Sequence, residues 1–177
     1  MKQVSLLLLV FCLIAWTPLF SQTRAEKKAA KEALIKNKIE SGNFTIEISK
    51  IFPQKHQERR IYGGYYVRFN DGDRFSSSLP YIGNTNSAVF GTQDLSVSTH
   101  EQKVNIQKGY DASGGYYFYT FTFINESITT KWQCSIVIYT DGAARVLLEN
   151  NGRDSISYTG DLQIEKENSS SKDSKKK

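Results

Sequence analysis

Residues 132–139 read Trp-Gln-Cys-Ser-Ile-Val-Ile-Tyr, and an apolar side chain recurs there at every second position. Residues 44–48, Phe-Thr-Ile-Glu-Ile, alternate in the same way. A period of two is typical of a strand that buries one face and exposes the other. The alternation predicts one buried row made of Trp132, Cys134, Ile136 and Ile138. These stretches indicate that the body of the protein is a β structure.

Turn signals lie at intervals on both sides of these strands. Residues 70–73 read Asn-Asp-Gly-Asp, Asp141 precedes Gly142, and Asn151 precedes Gly152. Asp-Gly and Asn-Gly pairs favour the tips of hairpins, because they accept a positive φ. The predicted strands are 44–49, 62–69, 74–79, 95–99, 104–107, 116–124, 132–139, 145–148 and 156–164. This pattern predicts a mainly β fold of about eight or nine antiparallel strands, either a sandwich or a strongly curved sheet, with an α+β fold as the alternative.

Four segments follow from composition along the 177 residues. Residues 1–22 have a basic start and an apolar run too short to span a bilayer, which predicts a secretory signal peptide. Residues 23–42 are rich in Ala, Lys and Glu and predict a helix that docks through Leu34, Ile35 and Ile39. Residues 43–167 form the β domain. Residues 168–177 are Ser- and Lys-rich and predict a disordered tail.

The predicted location is the periplasm or the exterior, with no transmembrane span after signal cleavage. Cys12 raises the alternative of a lipoprotein, which the bulky Phe11 directly before it disfavours. An uncleaved N-terminal anchor is the other alternative.

The net charge of +5 does not indicate nucleic acid binding. The β domain carries 12 basic and 14 acidic residues, so the excess of positive charge lies in the two terminal appendages. A nucleic-acid-binding protein places its cations on the folded binding face. We therefore expect no nucleic acid partner.

The sequence offers few groups for catalysis. It contains no paired-cysteine or His-Glu-x-x-His zinc motif and no glycine-rich phosphate loop, so we predict neither a metal nor a cofactor. Cys134 lies in the apolar row of its strand, which predicts an inert core thiol rather than a nucleophile. A hydrolase with a carboxylate pair stays open, since four carboxylates could contribute. They are Glu47, Asp94, Glu149 and Asp161.

Aromatic residues are the main compositional feature of the strands. Residues 116–121, Tyr-Tyr-Phe-Tyr-Thr-Phe, place rings on both faces of one strand. One face belongs to the core. The other needs a second sheet, the helix, a protein partner or an amphipathic small molecule to cover it. Two-sided packing in a sandwich is the structural alternative to a binding surface.

Two further segments are more specific. Residues 79–83 read Leu-Pro-Tyr-Ile-Gly, where Pro80 cannot donate a ladder hydrogen bond and so predicts a strand exit. Residues 151–160 read Asn-Gly-Arg-Asp-Ser-Ile-Ser-Tyr-Thr-Gly. Tyr81, Arg153 and Tyr158 are the candidate binding residues of these segments. Their structural alternative is that Tyr81 plugs one end of the β fold and Arg153 pairs with a nearby acid or carbonyl.

Together with the N-terminal helix, the 44–48 strand and the signal peptide, these segments resemble the secreted bacterial family called domain of unknown function 4251. The resemblance covers most of the chain after the signal peptide. Ile82 stands where the family pattern has an aromatic residue, and the Lys-rich tail is a second departure. The resemblance implies an exported protein of Gram-negative bacteria with no accepted activity, so it assigns no catalytic residue.

Three functions remain compatible with the sequence. The preferred one is a non-enzymatic envelope protein that binds a protein or an amphipathic small molecule through an aromatic sheet surface. The second is a cofactor-free hydrolase with a carboxylate pair. The third is a structural or inhibitory interaction protein.

Overall fold

A computed structural model describes residues 23–83, 96–126 and 129–164. The predicted signal peptide, the predicted tail and Asp94 lie outside these residues. The chain divides into two compact units, Met1–Ala30 and Lys31–Lys177. Within the described residues, no helix is long and apolar enough to cross a membrane.

The helix α1 spans Arg24–Glu40. Thr23 Oγ1 accepts a hydrogen bond from the Glu26 amide at 3.3 Å, and Glu26 Oε2 accepts one from the Thr23 amide at 2.9 Å. This reciprocal capping box satisfies two backbone donors at the start of the helix. The helix ends at Gly42, whose φ of +71° is the left-handed conformation that glycine adopts without strain.

One side of the helix packs on the β structure through Ile35 and Ile39, which are buried. A Cβ atom placed on Gly142 would lie 3.4 Å from Ile35 Cδ1, so this side chain contacts a turn of the sheet. The prediction that Leu34 also docks is wrong, because its side chain is 54% exposed. Ile35 and Ile39 are four positions apart and share the inward side of the helix, whereas Leu34 points about 100° away from Ile35 and lies outside this narrow contact.

Ten strands follow the helix in the described part of the chain. They are β1 (Phe44–Pro53), β2 (Arg59–Arg60), β3 (Tyr66–Asn70), β4 (Arg74–Leu79), β5 (Val97–Lys103), β6 (Gln107–Asp111), β7 (Tyr116–Asn125), β8 (Thr130–Tyr139), β9 (Ala143–Asn150) and β10 (Arg153–Leu162). Nine form one antiparallel sheet in the order β5-β4-β3-β1-β10-β9-β8-β7-β6, and β2 pairs with β1. The mainly β prediction is confirmed, and the architecture is the strongly curved sheet rather than the sandwich.

The sheet curls into a half-barrel. Its two ends approach each other where the Glu126 amide donates a hydrogen bond to the Ser98 carbonyl at 3.0 Å. The chain passes directly from β5 to β6 through residues 104–106, so the predicted strand 104–107 is wrong. Its residues form the corner at which the chain leaves its neighbour β4 and joins β7.

The predicted turns join the strands as expected. Asp71 and Gly72, with φ of +51° and +78°, connect β3 to β4, and Gly142, with φ of +91°, lies between β8 and β9. The Asn151-Gly152 pair joins β9 to β10. The first two turns leave the next strand in register, whereas the register of β10 on β9 shifts between Arg153 and Ile156. Beyond that shift, Ile156 and Tyr158 lie opposite Leu148 and Val146, so inward rows face inward rows.

The core lies on the inner side of the half-barrel. The predicted row of β8, from Trp132 to Ile138, is fully buried. Phe69 occupies the centre of an aromatic cluster, with ring centroids of Phe44, Phe75 and Phe121 at 5.1, 5.4 and 5.4 Å. Burying each such ring contributes roughly 1.5–3 kcal/mol to folding. Burial also raises the pKa of the Cys134 thiol, as an inert core cysteine requires.

Candidate functional site

The candidate residues of the two sequence motifs meet at one end of the half-barrel. Tyr81 follows β4, Arg153 begins β10, and Tyr158 lies on the inner row of β10 opposite Ile51 and Val146. The guanidinium carbon of Arg153 lies 5.6 Å from the centroid of the Tyr81 ring. The structure therefore brings together residues that are more than 70 positions apart in sequence.

Both tyrosine hydroxyls donate hydrogen bonds to backbone carbonyls. Tyr158 donates to Pro80 at 2.8 Å, and Tyr81 donates to Asp154 at 2.9 Å. The two bonds run in opposite directions between the segment after β4 and strand β10. They fasten that segment to the sheet, which is the role that the structural alternative assigned to Tyr81.

The sequence suggested an acid or a carbonyl as the partner of Arg153, and among the described residues it forms no ion pair with an acid. Its guanidinium stacks on Tyr81, while the neighbouring Asp154 pairs with Lys55 Nζ at 2.8 Å. The two tyrosines are almost fully buried, and three cavities of the described part of the chain, of about 510, 680 and 440 Å³, are lined by other residues. The pocket proposed for Tyr81, Arg153 and Tyr158 stays a prediction.

Two buried donors beside Tyr81 have no hydrogen-bond partner within the described residues. They are Trp132 Nε1 and Arg153 Nη1. The Trp132 ring centroid lies 5.5 Å from that of Tyr81, so both donors flank the same ring. An unpaired buried donor costs roughly 1–3 kcal/mol. No sequence motif indicated that these two donors would be buried without a partner.

The surroundings keep the buried tyrosines protonated. Burial raises the pKa of Tyr158 well above the usual tyrosine value, and nearby Tyr81 and Cys134 add to this effect. Burial and then the Asp154 carboxylate raise the pKa of Tyr81, with Arg153 acting in the opposite direction. Both hydroxyls therefore remain hydrogen-bond donors at neutral pH.

The raised pKa of Tyr158 predicts an alkaline loss of stability. A tyrosine in the unfolded chain ionises near pH 10, whereas buried Tyr158 does not, so its contribution is complete below pH 10 and is lost as the pH rises above it. Tyr158→Phe should cost about 1 kcal/mol at pH 8 through the lost bond to Pro80. Between pH 8 and pH 11, the unfolding free energy of Tyr158→Phe should fall by about 1 kcal/mol less than that of the wild type, as measured by urea denaturation.

Tyr62→Phe is the matched control, because the Tyr62 ring is 82% exposed. This variant should follow the wild-type pH dependence. If Tyr158→Phe and the wild type lose the same unfolding free energy between pH 8 and pH 11, Tyr158 is not the cause of the alkaline loss of stability.

A second feature lies at the β6–β8 end of the sheet. Three residues of the described part, Tyr116, Phe118 and Tyr139, expose rings on the outer face there, and we call them the aromatic surface. Tyr110 and Tyr117 lie opposite each other on the inner face of the same strands, where Tyr117 packs against the core. Ring centroids of Tyr110 and Tyr117 lie 4.7 Å apart, and those of Tyr116 and Tyr139 lie 6.1 Å apart. Because the sheet is single, its outer face carries Phe118 without the second sheet that a sandwich would supply.

Glycine helps to shape this surface. A Cβ atom on Gly109 would lie 2.6 Å from Phe118 Cζ, so the ring lies over the bare backbone of the neighbouring strand. The sequence predicted rings on both faces of β7. It gave no sign that Gly109 is the residue beneath Phe118, since that contact depends on the pairing of β6 with β7.

The candidate carboxylates fall into separate places. Glu47 and Asp161 lie directly opposite each other on β1 and β10, whereas Glu149 lines a cavity of about 440 Å³ with Lys131 and Gln133. General acid catalysis by a carboxyl pair uses one group kept protonated by burial, and Glu47 and Asp161 are exposed. The hydrolase alternative stays a prediction.

Among the described residues, no three His, Cys, Asp or Glu side chains lie together as a metal site would require.

Comparisons with known proteins agree with the resemblance seen in the sequence. The sequence model of a family described as "Domain of unknown function (DUF4251)" matches residues 26–162. A crystal structure of a DUF4251 family protein from Bacteroides eggerthii DSM 20697 is similar to this chain, with a TM-score of 0.55 and 16% sequence identity. The match covers 76% of this chain and 90% of that one, and at this identity it supports the fold alone. No curated protein matches the chain.

Proposed function

The chain belongs to the DUF4251 family of domains of unknown function, and from this premise we propose that it is an exported envelope protein that acts as a non-enzymatic binding module. The proposed binding site is the aromatic surface. The proposed partner is a protein that adds an extended segment along the edge of β6.

The exposure of the aromatic rings carries this proposal. On the outer face at this end of the sheet, Tyr139 is 40% exposed and Phe118 is 38% exposed. Aromatic residues are enriched at protein interfaces, because they combine a large apolar area with few rotatable bonds. A cluster of them on a surface therefore supports a contact role.

The position of β6 supports an extended partner segment. This strand is last in the sheet order and pairs only with β7 among the described strands. An edge strand presents backbone donors and acceptors to an added strand, and neighbouring side chains supply specificity. Gln107–Asp111 contains no proline that would block such pairing.

The shape of the region favours a protein over an enclosed small molecule. Sites for small molecules are concave and bury most of the ligand. The three cavities described for this chain are lined by residues outside the aromatic surface. Export is supported by the signal-like residues 1–22 alone.

Native mass spectrometry of protein purified from the periplasm of its own host tests both parts of the proposal. Wild type should emerge from the periplasmic fraction with a protein of defined stoichiometry. The double variant Phe118→Ser/Tyr139→Ser should lose that partner at least tenfold, while Leu34→Ser, a change at another exposed apolar residue, should retain it.

Three outcomes contradict the binding proposal. They are a wild-type protein with no partner, a partner that the double variant retains, and a bound species of small-molecule mass. Recovery of the protein only from the cytoplasm contradicts the proposed export.

A further inference from the structure

A groove of about 510 Å³ lies on the outer side of β1 and β10, away from the aromatic surface. One wall forms where the chain after β2 folds back along β1, with the Ile61 amide donating to the Ser49 carbonyl at 3.0 Å. The groove is lined by Glu47, Ile48, Ser49, Lys50, Arg60, Ile61, Tyr62, Gly63, Gly64, Asp161 and Gln163. Its volume falls within the range of roughly 300–1,000 Å³ that is common for ligand sites.

Each charged residue of this groove lies opposite a residue of the same charge. Glu47 lies directly opposite Asp161 in the pairing of β1 with β10, and Lys50 lies directly opposite Arg60 in the pairing of β1 with β2. Like charges opposite each other on neighbouring strands are destabilising. The groove therefore has one acidic end and one basic end, and each end has a cost for folding.

The four charges are not neutralised within the described part of the chain. None of them takes part in an ion pair, although other charged residues form pairs there. Glu47 Oε2 accepts a hydrogen bond from the neutral amide of Gln163, which leaves its charge in place. Placing Glu47 opposite a lysine would have been the stabilising choice, so stability alone does not explain the arrangement.

The separation of the two ends limits the ligand. Glu47 and Lys50 lie on either side of the bulge of β1. They pair with Asp161 and Thr159, two positions apart on β10, which corresponds to about 7 Å along the strand. A single amino acid carries its ammonium and carboxylate on one carbon and is too short to reach both ends. An extended tripeptide separates its termini by roughly 7 Å, which matches this span, and the flexible side chains of Lys50 and Arg60 can adjust to the peptide carboxylate.

We propose that this groove binds a short peptide with free termini. The peptide ammonium faces Glu47 and Asp161, and the peptide carboxylate faces Lys50 and Arg60. This site is separate from the aromatic surface, and the proposal does not depend on a protein partner there.

Isothermal titration calorimetry of the purified protein with tri-alanine, at an ionic strength of about 10 mM to limit screening, tests the proposal. Wild type should bind tri-alanine, and acetylating its amino terminus or amidating its carboxyl terminus should each weaken binding at least tenfold. The double variants Glu47→Gln/Asp161→Asn and Lys50→Gln/Arg60→Gln should each weaken it at least tenfold.

The matched control is Asp73→Asn/Lys103→Gln, which removes an ion pair of 3.4 Å on another part of the surface. This control should bind tri-alanine like the wild type. The proposal is overturned if wild type does not bind tri-alanine, if the blocked peptides bind equally well, or if both groove variants retain wild-type affinity.

Thermal unfolding of the same variants separates binding from folding. Because Glu47→Gln/Asp161→Asn removes a repulsion, its Tm should rise by about 1–4 °C without peptide. A lower Tm would show that the two carboxylates stabilise the fold, and this would remove the basis of the proposal.

Discussion

Gly160→Ala is expected to lower the free energy of unfolding by about 3 kcal/mol or more, one of the largest effects of any single methyl group in this chain. Gly160 pairs with Ile48 at the bulge of β1. A Cβ atom at position 160 would lie 2.8 Å from the Glu47 carbonyl carbon and 2.9 Å from Ile48 Cα, and closer still to the Glu47 carbonyl oxygen. These are backbone atoms of a central strand, so neither strand can relax without breaking the ladder between β1 and β10.

Gly152→Ala is the control for this substitution. It lies at the other end of the same strand, and its added Cβ atom would meet only Asn150 Oδ1 at 3.5 Å, an ordinary contact. We expect this variant to change the unfolding free energy by less than about 0.5 kcal/mol. Urea denaturation of both variants and the wild type measures the difference. Similar stabilities of the two variants would show that β1 and β10 do not approach as closely as described.

This glycine also shows what sequence reasoning could reach. The sequence showed a motif that ends in Gly160, but it did not show why this position needs a glycine. The cause is a bulge on β1, more than 100 residues earlier in the chain. The alternation in β8 was sufficient to predict Trp132 and Cys134 as buried. Whether a side chain faces inward or outward follows from the local alternation along its strand. The pairing of β10 with β1, in contrast, depends on the whole topology.

The same distinction separates the parts of the candidate sites. The sequence identified Tyr81 and Arg153 individually, and the structure adds that one stacks on the other. It offered Glu47 and Asp161 among four carboxylates, without a means to decide which two are neighbours. The choice between sandwich and curved sheet was undecided for the same reason, since both bury one face of every strand.

The centre of the core supplies the second large effect. Phe69→Ala is expected to lower the free energy of unfolding by about 3–5 kcal/mol. The ring is fully buried and contacts aromatic rings from β1, β4 and β7, including that of Tyr119 at 5.5 Å. Its removal leaves a cavity at the point where the two halves of the curled sheet meet. Because small domains are stable by roughly 5–15 kcal/mol, this loss is a large part of the total.

Phe118→Ala tests whether this effect comes from the inner position or from the ring itself. Phe118 lies on the outer face of β7, where it is 38% exposed, so its replacement should cost less than about 1 kcal/mol. Urea denaturation of the two alanine variants compares an inward and an outward phenylalanine of the same sheet. Equal losses would mean that the outer ring is also part of a packed core, and the aromatic surface could then not serve as a free binding face. A cost confined to Phe69→Ala leaves Phe118 available for recognition, because its removal affects contacts with a partner and not the fold.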